Sequence, residues 1–121
     1  MKIKEIAFTG YPVTDLKRAR HFYEDVLKLK PSHVFGDDTT AWIEYDIGAG
    51  TISIGNGSPD WKPNAGGGCA GLEVENFDAA LKALDDNQIA HQPPMDTPVC
   101  RMVIVADPDG NSIILHHRKK A

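Results

Sequence analysis

The chain has 121 residues, 41% of them hydrophobic and 25% charged, with a formal net charge of -4. That suits one compact domain able to bury about 65% of the surface its unfolded form exposes, and apart from the terminal HHRKK it leaves no basic stripe for nucleic acid. No stretch approaches the ~20 apolar residues that cross a bilayer, and the opening MKIKEIAFTG lacks the apolar run of a secretory signal, so a cytoplasmic protein with no membrane partner is expected.

Taken in order, KEIAFTGYPV reads as a strand. TDLKRARHFYEDVLKL follows as a helix, with Leu16, Ala19, Phe22, Tyr23, Val26 and Leu27 at helical spacing and Asp15 as its cap. KPSHVFGDD reads as a loop, and TAWIEYDI and TISIG as a hairpin around GAG. NGSPDWKPNAGGG has no periodicity and reads as a connection. CAGLEV is then a strand, and NFDAALKALDDN a helix capped by Asn76, with Phe77, Ala80, Leu81 and Leu84 on one face and Asn87 expected to end it in a left-handed conformation. RMVIVA and SIILHH form a second hairpin through DPDGN, where Pro108 presets one dihedral and Gly110 accepts positive φ. Cys69 and Cys100 form no CxxC pair and read as reduced thiols.

The two halves share one grammar, with Val13, Asp15, Leu16 and Ala19 falling on Val74, Asn76, Phe77 and Ala80. An internal repeat of this kind predicts an α+β fold of two tandem modules, the first at about 1–57, a connection at about 58–67 and the second at about 68–121. One module has a helix for only one face of its sheet. Two modules side by side put the helices outside and curve the strands into a concave ligand cleft.

YPVTDLKRARHFYEDVLKLKP, LEVENFDAALKAL and DPDGNSIIL together resemble the vicinal oxygen chelate superfamily, which includes glyoxalase I, extradiol dioxygenases, fosfomycin resistance enzymes and bleomycin resistance proteins. The resemblance covers nearly the whole chain and implies paired βαβββ modules in a mixed sheet, with a third short strand of the second module near HQPP. It also implies a homodimer, with CAGLEV and IKEIAF as contact strands, and a glycine at the position of Lys28, where the first helix ends. Metal enzymes of the superfamily carry ligands on the first and last strands of each module. Those positions fall here on Phe8, Cys69, Ile114 and either Ser53 or Ile54. A divalent cation needs about three N, O or S ligands, which Phe and Ile do not provide, so no metal and no cofactor are expected.

Alternation along the strands turns Phe8, Gly10, Thr40, Trp42 and Glu44 of the first module toward the cleft. In the second module it turns Cys69, Gly71, Glu73, Met102, Ile104, Ile114 and His116 the same way. A one-residue slip would exchange every face. Ile43, Tyr45, Ile52, Ile54, Leu72, Val74, Val103, Val105, Ile113 and Leu115 then face the helices. His117 points away from the cleft, His21 lies on a polar helix face, and His33 and His91 lie in connecting segments. Trp61 reads as a loop anchor or as a lid over the ligand.

Two classes of function fit. One is a metal-independent small-molecule-binding protein similar to the bleomycin resistance branch, taking a neutral or cationic, partly aromatic ligand at Phe8, Trp42, Glu44, Cys69, Glu73, Met102, Ile104, Ile114 and His116. The other is a lyase, isomerase or dioxygenase with a non-standard metal site or none. No activator for a nucleophilic Cys69 or a basic Glu44 is visible in the sequence.

Overall fold

Asp15 opens the first helix as expected, its carboxylate accepting the Arg18 backbone N–H at 3.1 Å. In the computed structural model, which describes Lys2 and residues 4–120, the chain divides into two units, Met1–Pro63 and Asn64–Ala121. The first unit holds strand β1 at Thr9–Pro12, helix α1 at Leu16–Arg20 continuing as π-helix through His21–Val26, then β2 at His33–Gly36, β3 at Ala41–Ile47 and β4 at Gly50–Gly55. Its sheet runs β1-β4-β3-β2, with β1 parallel to β4 and the other pairs antiparallel.

The wider turn is visible in the bond from Leu27 N to Phe22 O, five residues back, at 2.9 Å. It leaves Phe22, Tyr23 and Val26 all buried against the sheet residues Tyr11, Ile43, Tyr45, Ile52 and Ile54. The Tyr45 hydroxyl, inside this core, donates to Glu24 Oε2 at 2.8 Å, and Arg20 Nε holds the same oxygen at 2.6 Å. Burial, reinforced by that bond, pushes the phenol well above its ordinary pKa.

The helix stops at Lys28, which has φ 61°, while Leu29 N reaches back to Tyr23 O at 3.0 Å. A non-glycine residue in this conformation is strained, so Lys28→Gly is expected to raise stability by about 1 kcal/mol. Thermal melting checks it, and a variant melting at or below the parent temperature contradicts it.

KPSHVFGDD is not wholly a loop, because its middle pairs with β3 as edge strand β2. All four residues of that strand are exposed, so it has no buried face to impress a period of two on the sequence.

In the second unit β5 spans Ala70–Glu73, α2 Phe77–Asp86, β6 Met95–Asp96, β7 Cys100–Ala106 and β8 Ser112–Arg118. The sheet order β5-β8-β7-β6, with β5 parallel to β8, repeats that of the first unit. Asn76 caps α2, its side chain accepting Ala79 N at 3.0 Å. At the other end Asn87 stays near helical, φ -94° and ψ 6°, and Gln88 takes the left-handed position at φ 57° instead. Asn87 Nδ2 donates to the Ala83 carbonyl at 2.8 Å, which ties the residue to the last turn and moves the reversal one place on. HQPP contributes only a bridge between His91 and Val105, and the short strand follows it. Pro93 and Pro94 have no N–H to give a ladder. Phe77, Leu84, Val103, Val105, Ile113 and Leu115 form the buried layer between α2 and this sheet, while Leu72 and Val74 are half-buried. Among the described residues no helix is long and apolar enough to cross a membrane.

Candidate functional site

The ladders decide which side chains share a face. In the first unit Gly10 pairs with Ser53, Ser53 with Glu44, Gly55 with Trp42, Trp42 with Phe35, and Glu44 with His33. Their opposites Ile43, Tyr45, Ile52 and Ile54 are buried toward the helix, so these residues line the open face.

Aromatic rings gather there. Phe8, just ahead of β1, meets Trp42 edge-on with centroids 5.2 Å apart, and Trp61 from the connection lies 5.8 Å from Trp42 at 32°. Phe8, Trp42 and Glu44, each expected in the cleft, are therefore on one face, whereas Thr40 precedes β3 and is exposed. Trp42 Nε1 donates to Glu44 Oε2 at 3.0 Å, and His33 Nδ1 lies 3.4 Å from Glu44 Oε1. His33 and Phe35 join this face because β2 is a strand, which corrects the assignment of His33 to a connecting segment. Ser53 is fully buried, and its Oγ has no hydrogen-bond partner among the described residues. The strand positions of this face carry no lysine or arginine.

In the second unit Gly71 pairs with Ile114, Glu73 with His116, Met102 with His116 and Ile104 with Ile114. Met102, Ile104, Ile114 and His116 are half-buried together, Glu73 is exposed on the adjacent strand, and Cys69 stands exposed just ahead of it. His117 turns the other way, with Nδ1 2.8 Å from the Val74 carbonyl. Since β8 runs one residue beyond SIILHH, alternation adds Arg118 to the open face at the strand end.

Glu73 accepts the Arg118 backbone N–H at 2.7 Å and lies 2.6 Å from His116 Nδ1. The backbone bond first, and the histidine second, hold its carboxyl below its ordinary value of 4.5. A depressed acid stabilises the fold fully above its unfolded value and loses that contribution as pH falls through the folded one. Urea unfolding of the parent should therefore weaken from about pH 5 downward more steeply than that of Glu73→Gln. Equal slopes would mean the carboxylate is not held in solution.

The parallel registers also separate Ser53 from Ile54. Gly10 pairs with Ser53 as its repeat counterpart Gly71 pairs with Ile114, so the four positions at which the resemblance puts metal ligands are Phe8, Ser53, Cys69 and Ile114. Among the described residues no three His, Cys, Asp or Glu side chains converge as ligands. On the helical flank of the first unit a depression of about 810 Å³ is lined by Asp15, Arg18, Arg20, Glu24 and Asp38 among others. Arg20 and Glu24 there neutralise each other.

The model of the Glyoxalase/Bleomycin resistance protein/Dioxygenase superfamily matches residues 4–115. The chain belongs to that superfamily. Its fold is shared with TnmS3, an antibiotic binding protein from Streptomyces sp. CB03234, at a TM-score of 0.80 and 23% identity, covering 98% of this chain and 99% of that one. A glyoxalase/bleomycin resistance protein from the same Streptomyces superposes at 0.73 with 24% identity over 92% and 98% of the two chains. A domain of the superfamily from Frankia sp. EAN1pec does so at 0.75 with 16% identity over 99% and 96%. No curated protein matches in sequence. The two four-stranded mixed sheets, each with its helix, are the tandem βαβββ modules of the superfamily.

Proposed function

We propose that this superfamily member binds a small molecule without a metal, taking a neutral or cationic, partly aromatic ligand on the sheet faces turned away from the helices. Phe8, Trp42, Glu44, Cys69, Glu73, Met102, Ile104, Ile114 and His116 are the contact residues of this reading. The observation that carries it is the open face of the first unit, where Phe8 and Trp61 both pack against Trp42 and the Trp42 indole donates to the acidic Glu44. Flat rings gain from burial against such faces, and a positive charge gains from the indole as well. An anion would be desolvated beside Glu44 with no lysine or arginine among the strand positions of that face. The described role of TnmS3, antibiotic binding on the same fold, agrees with a binding function.

Metal independence is supported by the donor set at the four superfamily positions, since Phe8 and Ile114 give none and Ser53 only a neutral hydroxyl. Free Cys69 and Cys100 suit a reducing cytoplasm. The exposed apolar residues Ile6, at 86%, and Phe35, at 59%, suit a homodimer. Protein purified without a nickel column should carry well under one equivalent of zinc, nickel, iron or manganese, and these ions should not raise its melting temperature. Stoichiometric metal retained through dialysis would instead support a lyase, isomerase or dioxygenase. Light scattering on the same sample should give twice 13.2 kDa, and a monomer at tens of micromolar would refute the dimer.

A further inference from the structure

Two glycines on the open face of the first unit have no conformational reason to be glycine. Neither Gly10 nor Gly55 has a positive φ. What they provide is room: a methyl group at Gly10 would lie 3.3 Å from the Trp61 ring and 3.4 Å from Phe8, and one at Gly55 would lie 2.9 Å from Trp42 and 3.3 Å from Trp61. Ser53 sits between them, across the ladder from Gly10 and two residues before Gly55 on β4. The three lie side by side on this face, with Glu44 and Trp42 across the ladder from Ser53 and Gly55, and the Trp61 indole rests over the two glycines.

That arrangement suits a ring and leaves a polar group unanswered. Ser53 Oγ is buried with no partner among the described residues, although a hydroxyl offers one donor and two acceptor sites, and buried polar groups in folded proteins are nearly always paired. Trp61 comes from a segment outside the sheet, the residue is still 38% exposed, and its backbone bond to Ser58 is long at 3.4 Å. Little ordered structure has to break for the indole to leave.

We infer that Trp61 occupies the seat of a flat ligand ring in the unliganded chain, and that the ligand is a planar aromatic with a hydrogen-bonding group at its edge, which expels the indole and pairs with Ser53 Oγ. The inference rests on the aromatic-ligand reading above and adds where the ring sits and which substituent it carries. A self-occupied seat lowers apparent affinity by the fraction of chains in which it is open, so a site open in about a tenth of chains gains about tenfold when the occupant is removed.

Proflavine, a flat tricyclic cation with edge amines, and N-methylacridinium, similar in shape and charge but with no N–H, are the probes. Trp61→Ala should bind proflavine about tenfold more tightly than the parent. Ser53→Ala should weaken proflavine several-fold and leave N-methylacridinium unchanged. In the parent labelled with fluorotryptophan, the Trp61 fluorine signal, assigned by its loss in Trp61→Phe, should gain solvent exposure when proflavine is added. If the parent binds but Trp61→Ala binds no tighter, or if the Trp61 signal becomes less exposed, the indole clasps the ligand and the self-occupied seat is refuted while the binding reading stands. If proflavine weakens equally with N-methylacridinium in Ser53→Ala, the hydroxyl contact is refuted. Failure of parent and variants alike to bind either probe overturns the aromatic-ligand reading and this inference with it.

Discussion

Trp42→Ala is expected to lower the affinity for a cationic flat aromatic such as proflavine by about thirtyfold. Trp42 is the ring shared by the Phe8 and Trp61 contacts, at 5.2 and 5.8 Å, and it also donates its Nε1–H to Glu44 at 3.0 Å. Truncation removes ring burial and cation attraction together, roughly 2 kcal/mol, which is the stated factor at room temperature. Glu44→Gln keeps a hydrogen-bond acceptor and loses only the charge, so its effect should be smaller and should fade as salt is raised. Fluorescence titration of folded variants checks both, and tightest binding by an anionic aromatic, or indifference to Trp42→Ala, would contradict the assignment of this face.

Asp107→Ala should cost the fold about 3 kcal/mol. Asp107 and Asn111 are 4% and 2% exposed at the turn between β7 and β8. The Asp107 carboxylate accepts the backbone N–H of Asp109 and of Asn111 on one oxygen and Asn111 Nδ2 on the other, each at 2.9 Å. Without it several donors are left in a loop that must still fold back between β7 and β8, and unsatisfied buried donors lose their hydration with nothing in return. Denaturant unfolding gives the number. A loss below about 1 kcal/mol would mean that water replaces the carboxylate and the turn is not a closed network.

The repeat was legible because its signals are local. Asp15 and Asn76 each precede an apolar periodic run and each caps its helix, and alternation in AWIEYDI and RMVIVA separated Ile43, Tyr45, Val103 and Val105 from their neighbours before any pairing was known. Periodicity did not distinguish the π-helical turns at His21–Val26 from ordinary helix, since Phe22, Tyr23 and Val26 fall on the inner side in both. It also failed at β2, which is exposed on both sides. Ser53 could not be told from Ile54 because counting back from a turn carries a one-residue error, and only the parallel pairing with Gly10 removes it. Trp61 lies in a stretch without period, so its seating on Gly10 and Gly55 is a tertiary fact with no sequence signal. Asn87 shows the reverse case, in which a residue suited to the left-handed position is held out of it by its own side chain.

Metal-free capture of an aromatic ligand is tested most directly by calorimetric titration of proflavine into chelator-treated protein, repeated after adding zinc, nickel or manganese. Saturable binding is expected in the metal-free protein, with the affinity unchanged by each ion. Binding that appears only when a metal is restored would contradict it.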